Sequence, residues 1–427
     1  MACILAIPTA EKKGLISVTT SEVNQITTGG HLIDEALEIK KSYYLGLHHN
    51  WHPVDFEISR EFDFHFLESK DAIFLNGSEP LLEMDACNFT PICFSNPRNN
   101  PIWDVMIVGR TAAFKRPFKT IETVRELFNK GHFLRILWIC PMDLEKPEDQ
   151  SVVGAYENMF SQSEKELFTL LNPQANYPFT FSRQELSNFY LSSRSYVHFA
   201  DVETRCRVAA YAFCAGIPVV GNSTIANILP NELAIEPTFF EVKNDDYVGA
   251  ILRAISNPMP TNQGECIKVL SESSSIVRLV ENLNRCLGKS NKFVESQIYS
   301  CNLDIRLGAA HTGIKSSNSY GIDLLTFINS LKREDVNSFF KDIEIVSSCP
   351  EEEFGSRLVL NEAVNGSVPS FNIRKFRKAE IKVSRNGQIR FYLYKVLKLV
   401  NKIPIVGVGV RKVFSVCKSL IDSKTSL

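Results

Sequence analysis

Glu203 sits where a carboxylate can meet a ligand. An apolar run, Tyr196-Val197-His198-Phe199-Ala200, leads to Asp201, and a helical run from Arg207 to Phe213 follows. Ala215-Gly216 ends that run before the short β-branched stretch Ile217-Pro218-Val219-Val220. A strand, a charged loop and a helix stopped at a glycine make a βα unit of a parallel sheet. Ligands of open α/β sheets gather outside the carboxyl ends of the strands, which is where Glu203 falls. The helix start behind it, Thr204-Arg205-Cys206-Arg207, offers backbone N–H groups suited to a phosphate. An ordinary strand–helix–strand unit of any α/β protein is the plainer alternative.

A second charged exit lies about 90 residues earlier. Asp104 to Val108 reads as a strand, and Gly109-Arg110-Thr111-Ala112-Ala113-Phe114-Lys115 leaves it with two cations five positions apart. Arg grips two anionic oxygens in a fork, while Lys acts as a mobile point charge. Solvated loop cations are the bland reading of the same residues.

The elements that must position these groups alternate. Helices are expected over Phe118–Phe128, Val152–Leu171, Arg183–Leu191 and Tyr247–Ile255, and strands over Leu134–Cys140, Tyr177–Phe181 and Phe239–Val242. Such alternation predicts a parallel, doubly wound sheet. Before Asn96–Pro101, a linker by composition, lies a small α/β lobe. Its expected strands are Ile4–Ile7, Leu15–Val18 and Asp71–Leu75, with Gly29-Gly30 ahead of a helix from His31 to Lys41. A paired glycine lets backbone approach a ligand closely. His48-His49-Asn50-Trp51-His52 lacks a carboxylate at helical spacing, so it reads as a polar loop or surface turn rather than a metal site.

Together these stretches resemble the GT-B-fold nucleotide-sugar glycosyltransferases. Tyr211-Ala212-Phe213-Cys214-Ala215-Gly216-Ile217-Pro218-Val219-Val220 is similar to that superfamily's EAMACGTPVV segment. The retaining members carry a glutamate eight positions before the segment, matched here by Glu203. Tyr211 stands where they have a second glutamate, which holds the ribose hydroxyls. Gly109 to Lys115 resembles their GRL–(three residues)–KG turn, with Arg116 in place of the last glycine, and Gly29-Gly30 resembles their amino-terminal GG turn.

The resemblance implies a GT-B-like α/β fold of two Rossmann-type lobes, here with a reduced amino-terminal lobe and a basic carboxyl-terminal extension. It further implies a nucleotide diphosphate sugar as donor substrate, no cofactor, no metal, a hydroxyl acceptor on a glycan or lipid-linked glycan, and retention. Glu203 would contact the donor sugar. Arg110 and Lys115 would stabilise charge on the departing diphosphate. Gly29, Gly30, Gly109, Thr204, Arg205, Cys206 and Tyr211 would line the donor site. A catalytically weak relic serving as a binding or scaffold subunit is the alternative, favoured by Tyr211 and the short first lobe. A sugar-nucleotide epimerase lacks a second acid/base pair.

The 427 residues suggest two or three domains. The expected division is a first lobe over 1–102, a nucleotide-sugar-binding lobe over 103–260, a helical return segment over 261–342, and a linker with a basic tail over 343–427. In the return segment Ser275–Cys286 and Tyr320–Leu331 are helical candidates. From Phe371 onward fourteen Lys and Arg face only Glu380 and Asp422, a net of +12 in a chain whose total is −1. The first 370 residues therefore carry about −13. Cations interleaved with Phe391, Tyr392, Tyr394 and Leu397 suit an anionic membrane surface or a helix packed on the acidic body. No nucleic-acid module is recognisable. Eleven cysteines without metal or disulfide spacing, and an amino terminus without a basic start, suggest a cytoplasmic protein, peripheral at the inner face of a membrane.

Overall fold

The computed structural model describes residues 3–6, 8–9, 11–19, 23, 27–28, 31–32, 34–49, 60–66, 81–82, 84–172, 181, 183–203, 205–288, 292–298, 303–304 and 307. Gly29, Gly30, Thr204, the strand expected over 71–75, nearly all of 177–181, the helix expected over 320–331 and the basic tail lie outside the described residues.

The first lobe opens with β1 (Cys3–Ala6) and β2 (Gly14–Thr19), followed by the short pair β3 (Thr27–Thr28) and β4 (His31–Leu32). Helix α1 (Asp34–Ser42), β5 (Tyr43–His48), β6 (Phe64–Phe66) and β7 (Leu81–Leu82) complete it. The sheet order is β1-β2-β5-β6-β7. The β1 strand runs antiparallel to β2, and the remaining neighbours are parallel. The helix expected from His31 begins only at Asp34, because His31 and Leu32 pair back onto Thr27 and Thr28. Gly46 is needed in β5: a Cβ there would stand 2.2 Å from the Phe64 ring on the neighbouring strand.

The second lobe contains β8 (Trp103–Val108), α2 (Pro117–Asn129), β9 (Ile136–Ile139), α3 (Pro147–Met159), α4 (Gln162–Lys165) and β10 (Phe168–Leu171). It continues with α5 (Arg183–Leu191), β11 (Ser193–Val197), α6 (Arg207–Cys214), β12 (Val219–Gly221), β13 (Phe239–Glu241) and α7 (Tyr247–Ser256). All neighbouring strands are parallel, in the order β10-β9-β8-β11-β12-β13. Counted from β8 this is 3-2-1-4-5-6, the doubly wound order whose direction reverses between β8 and β11.

One expected element is corrected here. The helical pattern over 152–171 is two helices and a strand. Helix α3 stops at Met159, and Ser161 with Glu164 forms a capping box that starts α4 afresh. Phe168–Leu171 then pairs with β9 beneath a cluster of Tyr156, Phe160 and Trp138 rings.

The chain then returns to the first lobe. Helix α8 (Gln263–Leu270) buries Cys266 and Leu270 in the core around α6. Helix α9 (Glu272–Leu287) buries Ile276, Leu279, Val280 and Leu283 among Leu5, Leu15, Phe64 and Phe66 of the first sheet. Ser271 ends one helix and caps the other. At this point the return crossing meets the outward one. Thr90 forms an isolated parallel bridge with Ser271, donating its N–H to Leu270 O at 2.9 Å while its own carbonyl accepts Glu272 N–H at 2.9 Å.

Candidate functional site at the strand exits of the second sheet

The expected site residues come from the two strands that flank the reversal of sheet order. After β8 the chain passes Gly109, where a Cβ would meet nothing within 4 Å, and Arg110, which is exposed. A 3₁₀ turn, Ala113–Lys115, follows. Arg116 adopts a left-handed conformation (φ 52°, ψ 56°) and Pro117 opens α2. After β11 come His198, Asp201, Glu203 and then Cys206, the cap residue of α6. The two exit loops are joined through the backbone, Asp201 N–H donating to Phe114 O at 2.9 Å.

Lys115 Nζ and Glu203 Oε2 form a short charge-assisted contact, their side chains 16% and 22% exposed. The same Oε2 lies 2.5 Å from Nε2 of His198, which is buried. Tyr196 Oη lies 2.8 Å from the other imidazole nitrogen. Burial disfavours the imidazolium and lowers the pKa of His198, against the pull of Glu203. A neutral imidazole donating from Nε2 and accepting the Tyr196 proton at Nδ1 satisfies every partner. Burial also opposes the charge on Glu203, but the contacts of His198 and Lys115 outweigh it and hold the carboxyl well below the usual range. Glu203 is therefore ionised, half-open and steadied from two sides.

More cations stand on the two exit loops. Although Arg110 has an exposed surface, the protein around its guanidinium partly desolvates it, and this, then the charge of Arg207, lower its pKa, so the two guanidinium groups act on one another. Thr111 donates its hydroxyl to Asp149, which is buried, and so anchors the turn that carries Arg110 and Lys115. Arg116 makes a forked contact with Asp245 at 2.8 and 3.0 Å and approaches Asp201 at 3.2 Å. Arg110, Lys115 and Glu203 thus stand on the two exit loops, two cations to one carboxylate ahead of the start of α6, residue types able to hold an anion and to steady charge that develops on it. A cleft of about 690 Å³ along β13, lined by Asn227, Glu236, Glu241 and Arg253 among others, contains none of these three residues.

The remaining expected residues have partners inside the fold. Arg205 hydrogen-bonds the Cys87 thiol, in the 3₁₀ turn Ala86–Asn88. Cys206 is wholly buried, its Sγ 3.6 Å from His198 Nε2. Tyr211 is 1% exposed and stacks on Phe94 with ring centroids 4.1 Å apart. Its hydroxyl donates to Asp304, whose carboxylate also meets Arg183 at 2.8 Å. A ribose hydroxyl could reach Tyr211 only where Asp304 gives way.

Two groups went unnoticed in the sequence. His198, the central hydrogen-bonding residue, was readable as an ionisable side chain in an otherwise apolar strand. Asp304 carries no local signal at all. The histidine-rich stretch is also corrected: His48 ends β5, is buried, and approaches Asp85 at 3.0 Å. His49 Nε2 meets His65 Nδ1 at 2.9 Å. His48 and His65 belong to the interior of the first lobe, His49 is half-buried beside them, and Asn50 to His52 lie outside the described residues.

No family model and no curated protein matches this chain. Among solved structures the chain is similar to a sucrose-phosphate synthase from Thermosynechococcus elongatus, at 11% identity over 59% of this chain and 70% of that one, with a TM-score of 0.40. It is similar to a structure described as trehalose-6-phosphate from E. coli bound with UDP-2-fluoro glucose, at 14% identity, 59% and 68% coverage and a TM-score of 0.38. It is also similar to a glycosyltransferase from Rickettsia africae ESF-5, at 11% identity over 63% of this chain and 82% of that one, with a TM-score of 0.42. Likeness at these values concerns the chain trace of part of each molecule and does not extend to substrate.

Proposed function

We propose that this chain is a glycosyltransferase that moves a sugar from a nucleotide diphosphate donor to a hydroxyl acceptor. The observation that carries the reading is the meeting of Lys115 and Glu203 at the reversal point of a 3-2-1-4-5-6 sheet. That is where doubly wound sheets bind nucleotides, and the cations there are of the kind a diphosphate needs.

In this reading the diphosphate rests against Arg110, Lys115 and the start of α6. As the bond between sugar and phosphate breaks, negative charge grows on the departing oxygens. Lys115 turns from Glu203 towards that charge, and Arg110 holds it from the open side. Glu203, ionised and positioned by His198, accepts hydrogen bonds from the donor sugar. Two cations do the work a divalent ion does in other transferases, so the reaction as proposed uses no metal. Retention, an acceptor on a surface glycan or glycolipid, and attachment of the basic tail to the inner face of a membrane follow from the motif resemblance and the charge pattern.

The test is calorimetric titration of the full chain with a panel of nucleotide diphosphate sugars. With Tyr211 engaged by Asp304, we expect dissociation constants of hundreds of micromolar, about −5 kcal/mol. Arg110→Ala should weaken the productive donor further. A wild-type chain that binds no nucleotide sugar would make the non-catalytic scaffold the better description.

A further inference from the structure

His198, Glu203 and Cys206 bring three different metal-binding atoms together within 4.8 Å of one another. We infer that this cluster is a site for a thiophilic divalent cation such as Zn²⁺, and that the cation competes with the Lys115 ammonium for Glu203.

The distances favour the cation over chance crowding. Zn–S bonds of about 2.3 Å and Zn–N bonds of about 2.0 Å meeting at a tetrahedral angle separate the two ligand atoms by about 3.5 Å. His198 Nε2 and Cys206 Sγ stand 3.6 Å apart. Glu203 Oε2 is closer to His198 than two ligands of one ion can be, at 2.5 Å, and must retreat by under about 1 Å. It is free to do so, lying on a partly open loop between β11 and α6. Metal-binding imidazoles usually engage a polar group through their second nitrogen, and Tyr196 Oη lies 2.8 Å from Nδ1 of His198. Cys206 is the cap residue of α6, and burial, then Glu203, raise the pKa of its thiol, so the cation must displace the thiol proton.

Binding forms bonds from the cation to sulfur, imidazole nitrogen and carboxylate oxygen, with water as the fourth ligand. The thiol proton leaves to solvent. The imidazole proton shifts from Nε2 to Nδ1, where the Tyr196 hydroxyl oxygen accepts it. Lys115 loses its partner and turns outward. The binding claim stands without the transfer reading. If that reading also holds, the cation withdraws Glu203 from the donor sugar and acts as an inhibitor.

The experiment is titration of the full chain with Co²⁺ in the absence of any donor, reading the thiolate-to-cobalt charge-transfer band and the visible bands of tetrahedral cobalt. Wild type should develop both, and Cys206→Ser should abolish the charge-transfer band. Because Cys206 is buried and its replacement can unfold the chain, two variants at the open side give an independent reading. Glu203→Gln should weaken cobalt binding at least tenfold, and Lys115→Met should tighten it about tenfold. No thiolate band in wild type or Lys115→Met, a band that survives in folded Cys206→Ser, or an affinity unmoved by both open-side changes would overturn the proposal. Absence of the band leaves the transfer reading standing, and absence of nucleotide binding leaves the cation site standing.

Discussion

Both lobes place histidines and carboxylates near the carboxyl ends of parallel strands, yet they treat them differently. In the first lobe His48 faces Asp85 and His49 faces His65, and three of these four residues are buried. Packing closes over the polar groups, so each serves mainly the other. In the second lobe the same kinds of residue stop short of closure: His198 is buried, but Glu203 and Lys115 keep part of their surface in water. A closed set contributes stability and cannot turn towards a ligand. A half-open set gives up some stability and can exchange partners. The difference lies in what covers the group, not in the residue types.

The comparison can be broken most directly at its closed end. Asp85 also caps the 3₁₀ turn Ala86–Asn88 in a capping box. Asp85→Ala should therefore cost about 3 kcal/mol, by leaving buried His48 without its carboxylate and removing the cap. Denaturant unfolding followed by tryptophan fluorescence measures it, and a change under about 1 kcal/mol would mean the pair is less closed than its burial indicates.

At the open end the balance should invert. Lys115→Ala is expected to lower turnover roughly 10²-fold, equivalent to about 2.7 kcal/mol in the barrier, with the melting temperature little changed. Steady-state rates with the donor found by calorimetry, set beside thermal melts, separate the two effects. Equal turnover in the variant would show that the ammonium meets no developing charge.

Acidity supplies a smaller contrast. Burial, and then the neighbouring His48, lower the pKa of His49 from its ordinary 6.5 to about 4. A histidine depressed in the folded state favours folding fully above its unfolded pKa and loses that contribution as pH falls towards the folded value. Stability should therefore decline between about pH 6.5 and 4 through this group. In His49→Gln the decline should be shallower. Parallel curves for the two proteins would show that His49 is not the group responsible.

The smallest effect is expected at Arg116. The change to Gly removes ion pairs with Asp245 and Asp201 but relieves a left-handed conformation that costs a non-glycine residue about 1 kcal/mol. Surface ion pairs contribute a similar amount, so Arg116→Gly should alter stability by under about 1 kcal/mol. A thermal melt suffices, and a large loss would promote this network from surface pairing to structural support.

The sequence made the second sheet legible because its strands are short β-branched and apolar runs separated by helices of ordinary length. The candidate cations and Glu203 were visible as charges at strand exits. What could not be read was their meeting: Lys115 and Glu203 are 88 positions apart and touch because β8 and β11 are neighbours across the reversal of strand order. Tyr211 and Asp304 are 93 positions apart, and nothing local to either announces the partner. The overextended helix was avoidable, since Ser161 and Glu164 carry a restart signal. The missed β5 was harder, because Gly46 reads as a break until the Phe64 ring that demands it is known.

The bridge between Thr90 and Ser271 has a mechanical consequence. Among the described residues the chain crosses between the sheets outward and returns, and the two crossings share a backbone bridge at Thr90 and Ser271. Two cords tied side by side resist sliding more than twist. We expect rotation about Thr90 and Ser271 to be an easier motion of one sheet against the other than sliding along the crossings.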